Sequence, residues 1–386
     1  MKIEELPDEY TNSSNDINKC FEKLKDLNHS SQYYHPYLLD LNNSTIILNL
    51  QQIQILSLHS NPNLSWSSLE NSQLVQAIIS KNNITHLLPQ YINNYFRPKL
   101  QEIEKLVKLS SKLQQSSLRP RLTFQDNKFD SIPLAQAWFL ITFQNDSEIQ
   151  LLSLLLIIDT LKFDIDTKIQ ACKLLEYLQS KEIKLTPSIK NLINPLRTNL
   201  GKCLTHVPPI TPDNESLNLL SIVYPCLYEL DKKFGSNLNF IEIISQILTS
   251  LNYVHNYPNL MIFLLNQLSI VIKQIKLDVL ISISKIFYTL NNIITNLNYL
   301  EQYPQIIKAA LNVENDMLTS IDNPIIYSFV YDLIGAYGIL LKRVSKYEIN
   351  GFKDIIISQN LKSLQELASK YDKLNEFNDL CTYIQQ

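Results

Sequence analysis

Glycine is almost missing from this chain: five residues in 386, against an average of about 7% in soluble proteins. Phosphate-cradling loops, dinucleotide fingerprints and tight hairpin turns need glycine for positive φ and close backbone approach. Only Gly335 and Gly338 lie near each other, and neither GxGxxG nor GxxxxGK(S/T) can be written anywhere. A turn-rich all-β fold is disfavoured for the same reason. The length also exceeds the roughly 250–300 residues at which one core stops growing. Two domains or an elongated stack remain.

Apolar spacing is helical almost throughout. Ile17, Cys20, Phe21, Leu24 and Leu27 line one helix face, as do Leu74, Val75, Ile78 and Ile79 behind Ser67 and Ser68, which are capping candidates. Leu100, Ile103, Leu106, Val107 and Leu113 repeat the pattern, with Pro98 placed for a first helical turn. The breaks are Pro and Asn/Asp rather than Gly, as at Pro120, Pro133, Pro187, Pro208-Pro209 and Asn323-Pro324. Between Thr45 and Leu56 a strand competes with a helix, and the helix is favoured because a lone strand would have no partner. Segments such as Leu151–Ile158 are apolar on more than one side. Such a helix is buried only between neighbours before and behind it, which is the logic of stacked helix pairs. The expected fold is all-α, a HEAT-like α-solenoid of antiparallel pairs. Residues 1–96 read as an N-terminal helical region whose first fifteen or so residues are disordered, and 97–386 as the helical-repeat domain.

Chemistry is hard to place. The net charge of −3 argues against wholesale binding of nucleic acid or membrane. The acidic, polar start is unlike a secretory or mitochondrial leader. The apolar run around Leu260–Tyr288 is interrupted by Asn266, Gln267, Lys273, Lys276 and Asp278, so it reads as buried helix rather than a span. Cys20, Cys172, Cys203, Cys226 and Cys381 are odd in number and contain no CxxC, which suggests a reduced, intracellular, soluble chain. His29, His35, His59, His86, His206 and His255 form no HExxH, HxH or His–Cys pair. His206, before Pro208-Pro209, suits a structural role at a helix end. Asp164/Asp166 and Asp213/Glu215 fall where helices begin, where carboxylates cap free N–H groups. No nucleophile elbow exists. No catalytic residue, cofactor or metal is expected.

Between Arg97 and Lys128 eight Lys/Arg face three acids, and Lys105, Lys108 and Lys112 share one helix face, with Arg119 and Arg121 beyond. A solvated face is the plain reading, and a dock for an acidic partner or a phosphate ligand the sharper one; nucleic acid comes third for want of a motif. The Tyr and Phe residues are mostly core filler, although Tyr also suits protein contacts. Trp138, on a strongly apolar helix, reads as core. The late helices carry Ile325, Ile326, Val330, Ile334, Ile339 and Leu340, which suit either a partner-binding surface or the interior.

Three stretches, in order, point to a family. The first is Arg119-Pro120-Arg121 followed by the Trp138 helix. The second runs from Leu151 to Asp159 into a helix with Asp164 and Asp166 at its start, Lys168 after them and the small Ala171 at a close approach, like the second helix of a HEAT repeat. The third is Pro208-Pro209-Ile210-Thr211-Pro212, then a Ser-x-x-Leu-Leu helix with Leu219, Leu220 and Tyr224. Together, over about residues 97–235, they resemble the Tel-two-interacting protein two family, the smallest subunit of the triple-T co-chaperone complex. Thr160 and Gln170 stand where the family's pattern has Asp and Gly. The resemblance implies structural roles for these motif positions and a HEAT-like scaffold without a catalytic site. It further implies binding to a larger helical-repeat subunit, and through it to the Tel-two subunit. The assembly would work with the ninety-kilodalton heat-shock chaperone on phosphatidylinositol-3-kinase-related kinases, in the cytoplasm and also the nucleus. The rival is another HEAT-type adaptor, binding cargo or an acidic or phosphate ligand.

Overall fold

The computed structural model describes residues 8–116, 130–347 and 351–385, with side chains over 16–108, 130–347 and 351–382. Among these residues every regular element is a helix. Residues 1–7 of the expected disordered segment lie outside them. The chain divides into two compact units, Met1–Leu200 and Gly201–Gln386.

The first unit begins with α1 (Asp8–Lys25), α2 (Ser31–Asn43), α3 (Leu50–Leu58), α4 (Leu69–Ser80) and α5 (Leu88–Tyr91). A π-helical turn (Ile92–Phe96) leads from α5 into α6 (Arg97–Ser116), and α7 (Ile132–Phe143), α8 (Ser147–Thr160), α9 (Ile165–Gln179) and α10 (Pro187–Cys203) follow. The division between units falls within α10.

Side-chain caps set where these helices start. The ambiguous stretch from Thr45 becomes helix at Leu50, because Asn49 and Gln52 exchange side-chain-to-backbone bonds of 2.9 and 3.0 Å in a capping box. Ser68, rather than Ser67, caps α4 by accepting from the Asn71 N–H at 3.2 Å. Asp146 and Asp164 do the same for α8 and α9 at 2.9 and 3.0 Å. Pro98 sits in the first turn of α6.

α7 is buried on all sides from Pro133 to Ile141 and packs against α3, α8 and α9. That is why its sequence shows no polar stripe. Trp138 is buried and stacks on Tyr177, ring centroids 3.9 Å apart. The division drawn from sequence at residues 96 and 97 falls inside this unit: Phe96 is buried, and Tyr91, packed on Phe139 at 5.4 Å, donates to Ser57 Oγ at 2.7 Å.

The second unit holds α11 (Asp213–Phe234), α12 (Asn237–Leu251) and α13 (Pro258–Ile275), then a 3-10 turn (Lys276–Ser282) and α14 (Ile283–Ile294). After α15 (Leu297–Gln302) and α16 (Pro304–Ser320), a second 3-10 turn (Pro324–Phe329) opens α17 (Val330–Lys346). α18 (Phe352–Ile355), a π-helical turn (Ile356–Leu361), α19 (Lys362–Lys370) and α20 (Leu374–Gln385) complete it. Its core is α13, flanked by α12 and α16, with α14 laid against α16 and α17. The stretches Pro258–Ile294 and Pro324–Lys346 are long and apolar enough to cross a membrane by length and composition. Here α13 turns Leu264, Leu265, Leu268, Val271 and Ile272 into the protein interior.

Gly235 shows why a chain so poor in glycine keeps one between α11 and α12. A Cβ there would lie 2.6 Å from Asn239 Nδ2, 2.8 Å from the Asp231 carbonyl oxygen and 2.9 Å from Asp231 Cα. The last two atoms are backbone and have nowhere to move. Gly235→Ala is expected to destabilise the protein by about 1–3 kcal/mol through overpacking. Gly201→Ala, where a Cβ meets nothing within 4 Å, should instead be neutral or stabilising by up to about 1 kcal/mol. Urea titration of the two variants checks the opposite signs.

Candidate docking surface

The basic segment is partly neutralised by its own surroundings. Arg97 is ion-paired with Glu148, Lys99 with Glu102 (3.0 Å) and Asp130 (3.8 Å), and Lys108 with Glu104 one turn back. The Lys108 ammonium holds the Glu104 carboxyl below its ordinary range. Lys105 is exposed on the same helix. The Lys112 side chain, Arg119 and Arg121 lie outside the described residues. Below these cations Leu100 and Ile103 of α6 face Leu152, Leu155 and Leu156 of α8 across a shallow apolar groove closed by Asp159.

The family-motif positions do structural work. Asp159 pairs with Lys162 at 2.7 Å. Lys168 is buried and folds its ammonium back onto the Phe163 carbonyl, closing the turn ahead of α9. Ala171 is fully buried on α9, which lies against α7 and α8. Pro208 is buried and Pro209 exposed, joined by a cis peptide, and Pro212 stands at the N-cap position of α11 without a side-chain cap bond. Thr211 is buried, its hydroxyl 3.3 Å from His206 Nδ1, while its carbonyl accepts from Ser216 Oγ at 3.3 Å. Leu219, Leu220 and Tyr224 are core residues of α11, and burial raises the Tyr224 phenol.

The expected apolar surface divides in two. Ile326, Val330 and Ile334, with Leu340, are buried in the core of the second unit and present nothing to a partner. Val330, Ile334 and Leu340 lie on the part of α17 that its neighbours cover, and the remaining side is left to solvent. On that outer side Tyr331 is 58% exposed and Ile339 45%, with Gly335 between them at a spacing of four residues. Leu277 (52%) and Ile281 (70%) of the 3-10 turn and Tyr288 (72%) of α14 are exposed as well.

Between α14 and α17 runs a groove of about 530 Å³, with Phe287 and Phe329 at its floor, ring centroids 5.0 Å apart, and Tyr288, Tyr331 and Ile339 at its rim. Arg343 ties the two helices together by donating to the Thr295 carbonyl. Tyr331 donates to Glu376 Oε1 at 2.7 Å, and that carboxylate raises its phenol. Asn291 also lines the groove, and its Oδ1 is buried without a partner. The groove therefore offers aromatic and aliphatic surface plus one unused acceptor. It has no charged group poised for proton or group transfer except Asp332. Among the described residues no three His, Cys, Asp or Glu side chains converge as metal ligands would.

Sequence reasoning named Ile339 among the late-helix residues and did not single out Tyr288, which sits at the end of the long apolar run that begins near Leu260.

No curated protein and no solved structure matches the chain. A family model does: it is described as the Tti2 family and matches residues 52–301. The match extends well beyond the 97–235 stretch that carried the resemblance, takes in both the capped helices of the first unit and the α14 face of the second, and covers more than half of the sequence. This chain belongs to the Tti2 family.

Proposed function

We propose that the chain is a non-catalytic scaffold subunit of the triple-T co-chaperone complex, and that it holds a larger helical-repeat subunit through the α14/α17 groove. Family membership supports the role of complex subunit in general. The observation that carries the rest is the exposed rim of that groove, where Tyr288, Tyr331 and Ile339 come together. Exposed apolar side chains gathered round one groove mark a surface that another chain covers, and Tyr is over-represented among residues that dominate binding.

In this reading the helices stack as HEAT-like pairs. The connections from α7 to α8, α8 to α9 and α11 to α12 are only a few residues long, and each pair is in contact. A short link between touching helices reverses the chain, as antiparallel pairing requires. Through the larger subunit the chain joins the Tel-two subunit, and the assembly supports maturation of phosphatidylinositol-3-kinase-related kinases with the ninety-kilodalton heat-shock chaperone, in the cytoplasm and the nucleus.

An obligate interface buries upwards of about 2,000 Å², so loss of either subunit should deplete the other by mass action. Co-expression with the larger subunit, followed by size-exclusion mass measurement, tests this. A single co-migrating species is expected. A chain recovered alone in the presence of that subunit overturns the proposal.

A further inference from the structure

A second concavity of about 990 Å³ lies in the same unit, bounded by α17, α18, the π-helical turn, α19 and α20. It shares no lining residue with the α14/α17 groove. Leu341, Val344, Ile357, Leu361 and Phe377 give it an apolar lining. Its charged residues are Lys342, Lys353 and Lys362, each from a different element, and among the described residues no carboxylate lines the groove with them. All three are exposed, and none forms an ion pair with a described residue. Three other lysines of this unit do pair: Lys273 with Asp316 at 2.8 Å, Lys370 with Asp322, and Lys373 with Glu376 at 3.6 Å.

We infer that this groove docks an acidic amphipathic helix of a partner chain, its apolar stripe on the Val344/Ile357/Phe377 floor and its carboxylates against the three lysines. Helix-in-groove binding uses apolar anchors at i, i+3, i+4 and i+7 flanked by polar residues, and three cations without acids select for carboxylates on those flanks. A bilayer presents a surface too flat to reach a concave floor. Nucleic acid would satisfy the lysines and leave the floor bare. The inference does not rest on the proposed function, since it uses neither the α14/α17 groove nor the family.

The test is fluorescence anisotropy of the full chain with a labelled peptide of about 20 residues, roughly 30 Å of helix, carrying Leu at those spacings and Glu on both flanks. Binding is expected, weakening as salt screens the lysines. Lys342→Glu/Lys353→Glu/Lys362→Glu should weaken it by about tenfold or more. Ile357→Glu, on a half-exposed side chain, should abolish it with the thermal transition unchanged. The neutral triple Lys→Gln variant serves if charge reversal disturbs folding, and should give a smaller loss of the same sign. Equal binding by wild type and both variants overturns the inference. So does equal binding of a poly-Glu peptide lacking Leu, or binding to phosphatidylserine vesicles without binding to the peptide.

Discussion

Ile339→Glu combined with Tyr288→Glu is expected to abolish recovery of the larger subunit while leaving the isolated chain folded. Tyr288 is 72% exposed and Ile339 45%, so neither is a core residue, and surface changes of this kind usually shift stability by no more than about 0.5 kcal/mol. At an interface the same positions behave differently. Truncating a central aromatic or aliphatic anchor costs about 2 kcal/mol or more, and placing a carboxylate in a dry contact adds the penalty of an unpaired buried charge. Together the two substitutions should remove upwards of about 4 kcal/mol, close to a thousandfold in affinity. Co-purification yield from co-expressing cells gives the binding arm, and the thermal transition of the isolated variant gives the folding arm. Lys105→Glu, a charge change on an exposed residue of the first unit, is the matched control and should co-purify normally. A double variant that co-purifies at wild-type yield would show that the α14/α17 face is not the contact.

The choice of α14 over its neighbours illustrates how far sequence can reach. Helix identity was legible nearly everywhere, because Pro and Asn/Asp punctuate apolar runs of helical period and caps such as Asp164 and Ser68 stand where the period starts. Glycine scarcity excluded phosphate loops, and of the few glycines kept, Gly235 stands where a Cβ would strike backbone whereas Gly201 and Gly335 have open space. What sequence could not separate was the two sides of a helix that is apolar all round. Val330 and Ile334 differ from Tyr331 and Ile339 only by rotation about the axis of α17, and that rotation is set by packing against its neighbours. Before residue 97, Tyr34 and Tyr91 are fully buried and satisfy their hydroxyls on the Asp26 carbonyl and Ser57 Oγ, which makes them core residues of the first unit.

The two units should respond to pH in opposite directions, because each buries a group whose titration burial moves strongly within the range from about 4 to 8. In the second unit Glu314 is fully buried; its Oε2 accepts from the Tyr337 hydroxyl at 2.9 Å, and that hydroxyl in turn accepts from Asn360 Nδ2 at 3.2 Å. Glu314 Oε1 and Asn360 Oδ1 are both buried acceptors without a partner, an arrangement that a carboxyl proton relieves by turning one acceptor into a donor. Desolvation accordingly raises the Glu314 carboxyl from its ordinary 4.5 to about 8. The unfolded chain releases this proton above pH 4.5 and the folded chain holds it to about 8. Stability present at low pH is therefore lost as pH rises across that window, by about 3–5 kcal/mol at 1.36 kcal/mol per pH unit. In the first unit His59 is buried with Nε2 bonded to the Leu24 carbonyl at 2.8 Å and Nδ1 without a partner. Desolvation lowers it from 6.5 to about 4. A second ring proton would be buried with no acceptor, so this stability is present above pH 6.5 and lost as pH falls toward 4. Both tryptophans, Trp66 and Trp138, lie in the first unit, so their fluorescence reports His59, while amide exchange in α16 and α17 reports Glu314. Glu314→Gln supplies a neutral side chain that keeps the Tyr337 bond and offers a donor in place of the proton. It should flatten the loss between pH 5 and 8 and leave the acid limb followed by tryptophan in place. Exchange in α16 and α17 that rises as steeply toward pH 8 in the variant as in the wild type, after correction for intrinsic exchange, would mean that Glu314 ionises freely within the fold.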